Sequence, residues 1–293
     1  MTPEKIANAY KLACMAELEA LKPGNVHIFS DGHGMQISDF ILSAEASALV
    51  IAQPNLTVGE RILSAVQATQ EAVGLNTNLG IILLCAPMIQ AALQLKSEVN
   101  FNHEALQAAL QDCLHHLSVI DAEDTSSAIV LANPAGLGEV SQYDVHAQPQ
   151  VTLLALMQAA ENHDRIAWQY SHNFSDIFNV GIPRFQDGLQ RWQHFNNKGQ
   201  NLAWATTAVY LGFLARQPDT HIARKHGHTI ATEVMMQAKL REASFWQSEN
   251  PKLQQSELLA WDTALKDQKL NPGTSADLTV ATLMVHNLTN YLI

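Results

Sequence analysis

"GIILLCAPMIQAALQL", Gly80 to Leu95, decides the fold class. Its first half has the length and apolar density of a buried strand, and a proline follows at Pro87. Beyond the proline, "MIQAALQL" continues a helical pattern, so the run reads as one helix kinked at Pro87. Just upstream, Thr57-Val58-Gly59-Glu60 is a capping box ahead of Ile62, Val66 and Val73, and Gly74 ends that helix. Downstream, "NHEALQAALQDCLHHL" places Leu106, Leu110, Cys113, Leu114 and Leu117 on one face.

The same periodicity reaches both ends. Thr2 caps a helix with Pro3 in its first turn; Ile6, Tyr10, Ala13, Cys14 and Leu21 follow one face, and Lys22-Pro23-Gly24 stops it. Further helical runs are expected over about residues 151–172, 200–217, 219–246, 252–268 and 275–292. Strand alternation is nearly absent, and neither a repeat nor a low-complexity linker appears. The stretches 22–38, 133–149 and 174–199 read as loops within one body. The expectation is an all-α fold: one domain over residues 1–293, of roughly ten helices.

Composition narrows the partners. With 293 residues and 47% hydrophobic content the chain can bury a core. Lys+Arg 17 against Asp+Glu 28 gives a formal charge of -11, which argues against nucleic acid while leaving room for a small anion held by local cations. Cys14, Cys85 and Cys113 have no C-x-x-C spacing and sit in apolar runs, as buried thiols of a reducing compartment do. No basic leader and no apolar run of membrane-spanning length is present, so a cytoplasmic protein without membrane partners is expected. Oligomeric state is left open, a homo-oligomer being compatible with the sequence.

Polar loops at helix ends are where a helical domain exposes backbone N–H groups to a ligand. Four stand out. "KPGNVHIFSDGHGMQISDF" crowds Lys22, Asn25, His27, Asp31, His33 and Asp39 around three glycines, before a helix capped by Ser38; a solvated loop with Asp39 on the helix dipole is an equal reading. "GLNTNLG" offers Asn76, Thr77 and Asn78 where one cap suffices. In "QPDTHIARKHGH", Asp219 and Thr220 are good caps and Arg224 and Lys225 lie a turn on, suiting a phosphate or a solvated charged face alike. In "NPGTSADL", Thr274 or Ser275 caps the last helix with Asp277 in its first turn. Histidine pairs such as His115-His116 and the dipeptide His163-Asp164 raise a metal-dependent phosphohydrolase as a competing reading, and a non-catalytic helical nucleotide-binding protein as another.

Taken in order, these stretches resemble the triphosphoribosyl-dephospho-CoA synthases. "KPGNV" (22–26) is similar to that family's K-P-G-[LN]-V, "GHGM" (32–35) to G-x-H-x-D-M, and "GLNTNLG" (74–80) to G-x-N-T-x-x-G. "PDTHIARKHG" (218–227) looks like D-[ST]-x-[IV]-x-R-[KR]-x-G, and "NPGTSADL" (271–278) like [NS]-P-G-[GT]-[ST]-A-D-L. The resemblance implies an all-helical enzyme that takes ATP and 3′-dephospho-CoA, releases adenine and joins the triphosphoribosyl group to a ribose hydroxyl. It further implies Mg²⁺, with Asp39, Asp219 and Asp277 supplying carboxylates for metal or base work. Lys22, Arg224 and Lys225 would meet phosphates, and Asn25, His33, Asn76, Thr77, Asn78, Thr274 and Ser275 would position the substrate. Commoner members read N-T-H-K-G where this chain has Asn76-Thr77-Asn78-Leu79-Gly80, and an acid where it has Gly34. With "NPAGLG" (133–138), this resembles a divergent branch found beside one-carbon cofactor genes, so a related enzyme with a different phosphorylated substrate stays open.

Overall fold

The structure, a computed structural model, describes residues 1–95, 101–134, 149–194 and 198–290. Among these it is built from helices, with two isolated β-bridges and no strand. In chain order they are α1 (Pro3–Glu19), α2 (Ile37–Ile51), α3 (Val58–Val73), α4 (Leu79–Gln94), α5 (His103–His115), α6 (Val119–Ala132), α7 (Leu153–Ala160) and α8 (Arg165–Ser171). A π-helical turn (Ile177–Gly181) leads into α9 (Ile182–Arg191), followed by α10 (Lys198–Arg216), α11 (Thr220–His226), α12 (His228–Gln247), a 3₁₀ turn (Pro251–Gln254), α13 (Gln255–Asp267) and α14 (Gly273–Asn290).

The chain divides into two compact units, one of Met1–Ala13, Asp39–Ser175 and Met284–Ile293, the other of Cys14–Ser38 and Asp176–Leu283. Three of the boundaries fall inside α1, α2 and α14, so no linker marks them.

In the first unit α4 is buried along nearly its whole length, and Pro87 lies inside it as expected. Proline has no N–H, so the carbonyl four residues earlier, that of Leu83, loses its helical donor. The buried Tyr170 hydroxyl donates to that oxygen at 2.7 Å and so replaces the missing donor. Burial holds the Tyr170 hydroxyl pKa well above the usual tyrosine value, which keeps it a donor. Thr57 and Glu60 form the expected capping box and Gly74 the left-handed C-cap of α3. Helix α6, where no helix was expected, packs so closely that a side chain at Gly59 would meet the Asp121 backbone. Its Ser118 and Asp121 form a second capping box.

The second unit is centred on Trp192, fully buried, edge-on to Phe245 at 5.0 Å and stacked on Trp246 at 5.3 Å. Leu211, Leu214, Ile222, Val234, Leu258, Trp261 and Leu265 close around it. Several expected boundaries are corrected here. The run 219–246 is two helices, because Gly227 adopts φ +90 and breaks it. The stretch 174–199, read as a loop, carries the π turn and α9. In the first unit the run 151–172 is interrupted where Asp164 caps α8 through Ile166 and Ala167, so the His163-Asp164 dipeptide serves a helix end. The cysteines form no disulfide and are buried. No helix of the described residues is long and apolar enough to cross a membrane.

Candidate active site

The lysine loop is built on α13 and on the turn before α14, all within the second unit. Gly24 takes φ +86, and a Cβ there would lie 2.8 Å from Pro272 Cδ and 3.0 Å from the Leu270 carbonyl, so glycine is required twice over. Its N–H donates to Asp262 Oδ1 at 2.8 Å, and the Tyr210 hydroxyl donates to the Pro23 carbonyl at 2.6 Å. Asn25 Nδ2 donates to Asn271 Oδ1 at 2.8 Å, tying the KPGN and NPG stretches together. Asp262 also receives Lys266 Nζ at 3.0 Å and has the buried His27 Nε2 at 3.3 Å. Burial alone would push the Asp262 carboxyl up, but His27, the Gly24 amide and Lys266 hold it below the ordinary range.

Lys22, expected to meet phosphates, is fully buried. Its ammonium donates to the Glu17 carboxylate and to Asn25 Oδ1 at 3.1 Å. Burial lowers the Lys22 pKa and raises that of Glu17, and each opposes the shift of the other. Lys22 is thus the buried post of the loop rather than a cation facing solvent. His33, in the left-handed region at φ 57, donates through Nε2 to the Gly24 carbonyl at 2.7 Å. Burial holds its pKa below the usual histidine value, helped by the charges of Lys225 and Lys266. The expected cap Ser38 lies inside α2; the amide of Ile37 is met instead by Asp31 Oδ1 at 2.9 Å.

At the other side of this unit, Asp219 joins two helix starts. Its Oδ1 accepts the amides of His221 (3.0 Å) and Ile222 (3.3 Å) in α11, and its Oδ2 accepts the amide and hydroxyl of Ser275, both at 2.8 Å, in α14. The expectation that Thr274 or Ser275 caps the last helix is therefore corrected: α14 starts at Gly273 and its cap comes from α11. Thr274 faces Thr220 and the His221 amide. Asp277 falls just beyond the first turn, half-buried, close enough that its charge raises the Lys22 pKa. Arg224 and Lys225 are exposed. Burial lowers the Lys225 pKa, as does the neighbouring Arg224.

In the first unit, Thr77 Oγ1 donates to Ser43 Oγ at 2.6 Å, and Ser43 donates to the Asp39 carbonyl. Asn78 Nδ2 donates to Ser47 Oγ at 3.3 Å, and Asn76 Oδ1 accepts the Leu79 amide at 3.3 Å. The Asn-Thr-Asn turn and the start of α2 are thus knit together. Asn76 and Asn78 line a recess of about 170 Å³ with Thr69 and Gln70, below the roughly 300–1,000 Å³ typical of ligand pockets.

Asp219 spends both oxygens on four donors, and among the described residues no group of three His, Cys, Asp or Glu side chains is placed to hold a metal. Close together in the second unit are the cations Arg224 and Lys225 and the rings of His33, His221 and His226, in a chain of overall charge -11. Sequence reasoning overlooked Glu17, Tyr210, Asp262 and Lys266. The spacing of Asp262 and Lys266 at i, i+4 was a visible signal, though it reads first as a surface pair.

In the second unit, exposed Arg224 and Lys225 stand beside loops tied together at helix ends, an arrangement that suits an anionic ligand. The sequence matches the CitG family, ATP:dephospho-CoA triphosphoribosyl transferase, over residues 3–292, and the chain belongs to that family. It is a pentosyl transferase acting on ATP and dephospho-CoA. A crystal structure from Archaeoglobus fulgidus, provisionally named a triphosphoribosyl-dephospho-CoA synthase, shares the fold with a TM-score of 0.62 at 20% identity, over 87% of this chain and 100% of that one. Among curated proteins the sequence finds no match.

Proposed function

We propose that the second unit holds the donor triphosphate and carries out the transfer. The observation that supports this reading is the junction of the KPGN loop, α11 and the start of α14, where Arg224 and Lys225 bring positive charge beside the His33 ring in an acidic protein. Arg224 and Lys225 meet the phosphates. Asn25, Thr274 and Ser275 hold the walls, and Asp219 fixes α11 to α14. For Asn76, Thr77, Asn78 and Asp39, in the first unit, only the roles implied by the resemblance stand, and the reading rests on none of them.

The bond from ribose C1 to adenine N9 breaks, and C1 bonds to the acceptor hydroxyl oxygen. The acceptor loses one proton and adenine gains one, so the sum needs no further reactant. Positive charge develops at C1 as adenine leaves, and a carboxylate stabilises it or takes the acceptor proton. Asp277, half-buried beside the lysine loop, is assigned that part. Among the described residues no three His, Cys, Asp or Glu side chains form a cage for a cation, so Mg²⁺ enters on the ATP phosphates as part of the substrate.

The test is to incubate the protein with ATP, Mg²⁺ and 3′-dephospho-CoA and follow adenine by chromatography. Acceptor-dependent adenine release is expected, and a folded Asp277→Asn variant should be slower by at least about a hundredfold. Orthophosphate in place of adenine overturns the reading. Adenine release with another phosphorylated acceptor, and none with dephospho-CoA, moves the chain to the one-carbon branch.

A further inference from the structure

We propose that His221 contacts the substrate directly, donating from Nε2–H to an oxygen of the triphosphate chain. This rests on the assignment of the site above and names a residue for which no role has been given. His221 is the third residue of the stretch Asp219-Thr220-His221, and its amide is held by two acceptors, Asp219 Oδ1 and Thr274 Oγ1, while Asp219 in turn grips Ser275. Its ring lies against the first residue of α14. A Cβ at Gly273 would sit 2.8 Å from Nδ1 and 3.2 Å from Cγ, so the glycine of the NPG stretch is what leaves room for the imidazole.

Nε2 is buried and has no hydrogen-bond partner. A buried polar atom without a partner is expensive, and in native proteins such atoms mark a missing ligand or water. The surroundings say which ligand. The charged and titratable groups that act on the ring are Lys225, Arg224, His33 and His226, every one of them cationic or able to become so. An anion bearing oxygen acceptors satisfies Nε2 and neutralises this group together, which a neutral or cationic ligand cannot do.

The ring stays uncharged in this setting: burial first, then the four neighbours, push its pKa down to about 3. A neutral imidazole offers one N–H. Bound as Nε2–H it adds direction to the site where Arg224 and Lys225 add charge.

The test uses inorganic triphosphate as the probe, by isothermal titration calorimetry on the whole chain, with KM for ATP from adenine release measured alongside. His221→Ala is expected to weaken triphosphate binding by about tenfold to a hundredfold and to raise KM for ATP by a similar factor with a smaller change in kcat. His221→Gln, which can place an amide N–H near the same point, should recover part of the loss, a rescue that mere packing would not give. Equal binding by wild type and His221→Ala overturns the proposal, and so does wild type that fails to bind triphosphate. A kcat loss with KM unchanged also overturns it, placing the imidazole at the reacting bond instead. Triphosphate binding that depends on His221 without adenine release from ATP supports the proposal while removing the assigned reaction, so the two fail separately.

Discussion

Asp219→Ala removes the one side chain that starts two helices. Its loss leaves the Ile222 amide and the amide and hydroxyl of Ser275 without their acceptor, and the His221 amide with Thr274 Oγ1 alone. A lost N-cap costs about 0.5–2 kcal/mol, and two are lost. The Ser275 hydroxyl is buried, and stranding it adds about 1–3 kcal/mol unless water reaches it. The sum is about 2–7 kcal/mol, a large part of the ~5–15 kcal/mol stability of a typical domain, so the variant should be soluble but melt roughly 10 °C lower. Asp219→Asn keeps Oδ1 for α11 and turns an N–H toward the Ser275 amide, losing only the α14 side, about half as much. Circular dichroism melts and urea titrations of the three proteins read this directly. Equal stabilities, or Asn as damaging as Ala, would refute the double-cap account. If Asp219 instead held a cation, Mg²⁺ would raise the wild-type melting temperature and leave the variants unmoved.

Glu17→Gln or Lys22→Met alone should cost about 3–5 kcal/mol, because each strands a buried charge, whereas the double variant should recover most of that; urea midpoints of the four proteins decide it. Arg224→Ala and Lys225→Ala, at exposed positions, should leave the melting temperature within about 2 °C while each raises KM for ATP roughly tenfold, with a weaker salt dependence than wild type. Stability should fall as pH drops from about 6.5 toward 4. Burial holds the folded pKa of His221 at about 3 and of His286 at about 4, so the unfolded chain, titrating near 6.5, binds protons first. A loss on the order of a few kcal/mol is expected in urea titrations at pH 5 against pH 7.5, part of it relieved by His286→Gln.

The helical class could be read from periodicity because an amphipathic stripe is a local property: the Thr57–Glu60 capping box, the Gly74 cap and a helix running through Pro87 all appear where their residues lie. Helix α6 escaped because its polar cap and small residues dilute the stripe, and the break at Gly227 escaped because the apolar spacing runs through it. Three of the boundaries between units lie inside helices, where no linker marks them. Motif order identified the family, yet the roles within the site shifted. Lys22 looks like a surface cation until Glu17 and Asn25 enclose it, and Asp219 looks like a ligand until Ser275 arrives from 56 positions away. Such assignments depend on partners that no window of sequence contains.

The stretch that begins at Lys22 stands on supports made near the far end of the polypeptide: Gly24 meets Asp262 across 238 positions and Asn25 meets Asn271 across 246. At roughly 5–20 residues per second, a ribosome takes on the order of ten to fifty seconds to make that intervening stretch. Throughout that interval the nascent lysine turn has no anchor, so translation order makes the reactive region among the last to set. A product ended early, before Asn271, would carry the opening motif and lack the means to shape it.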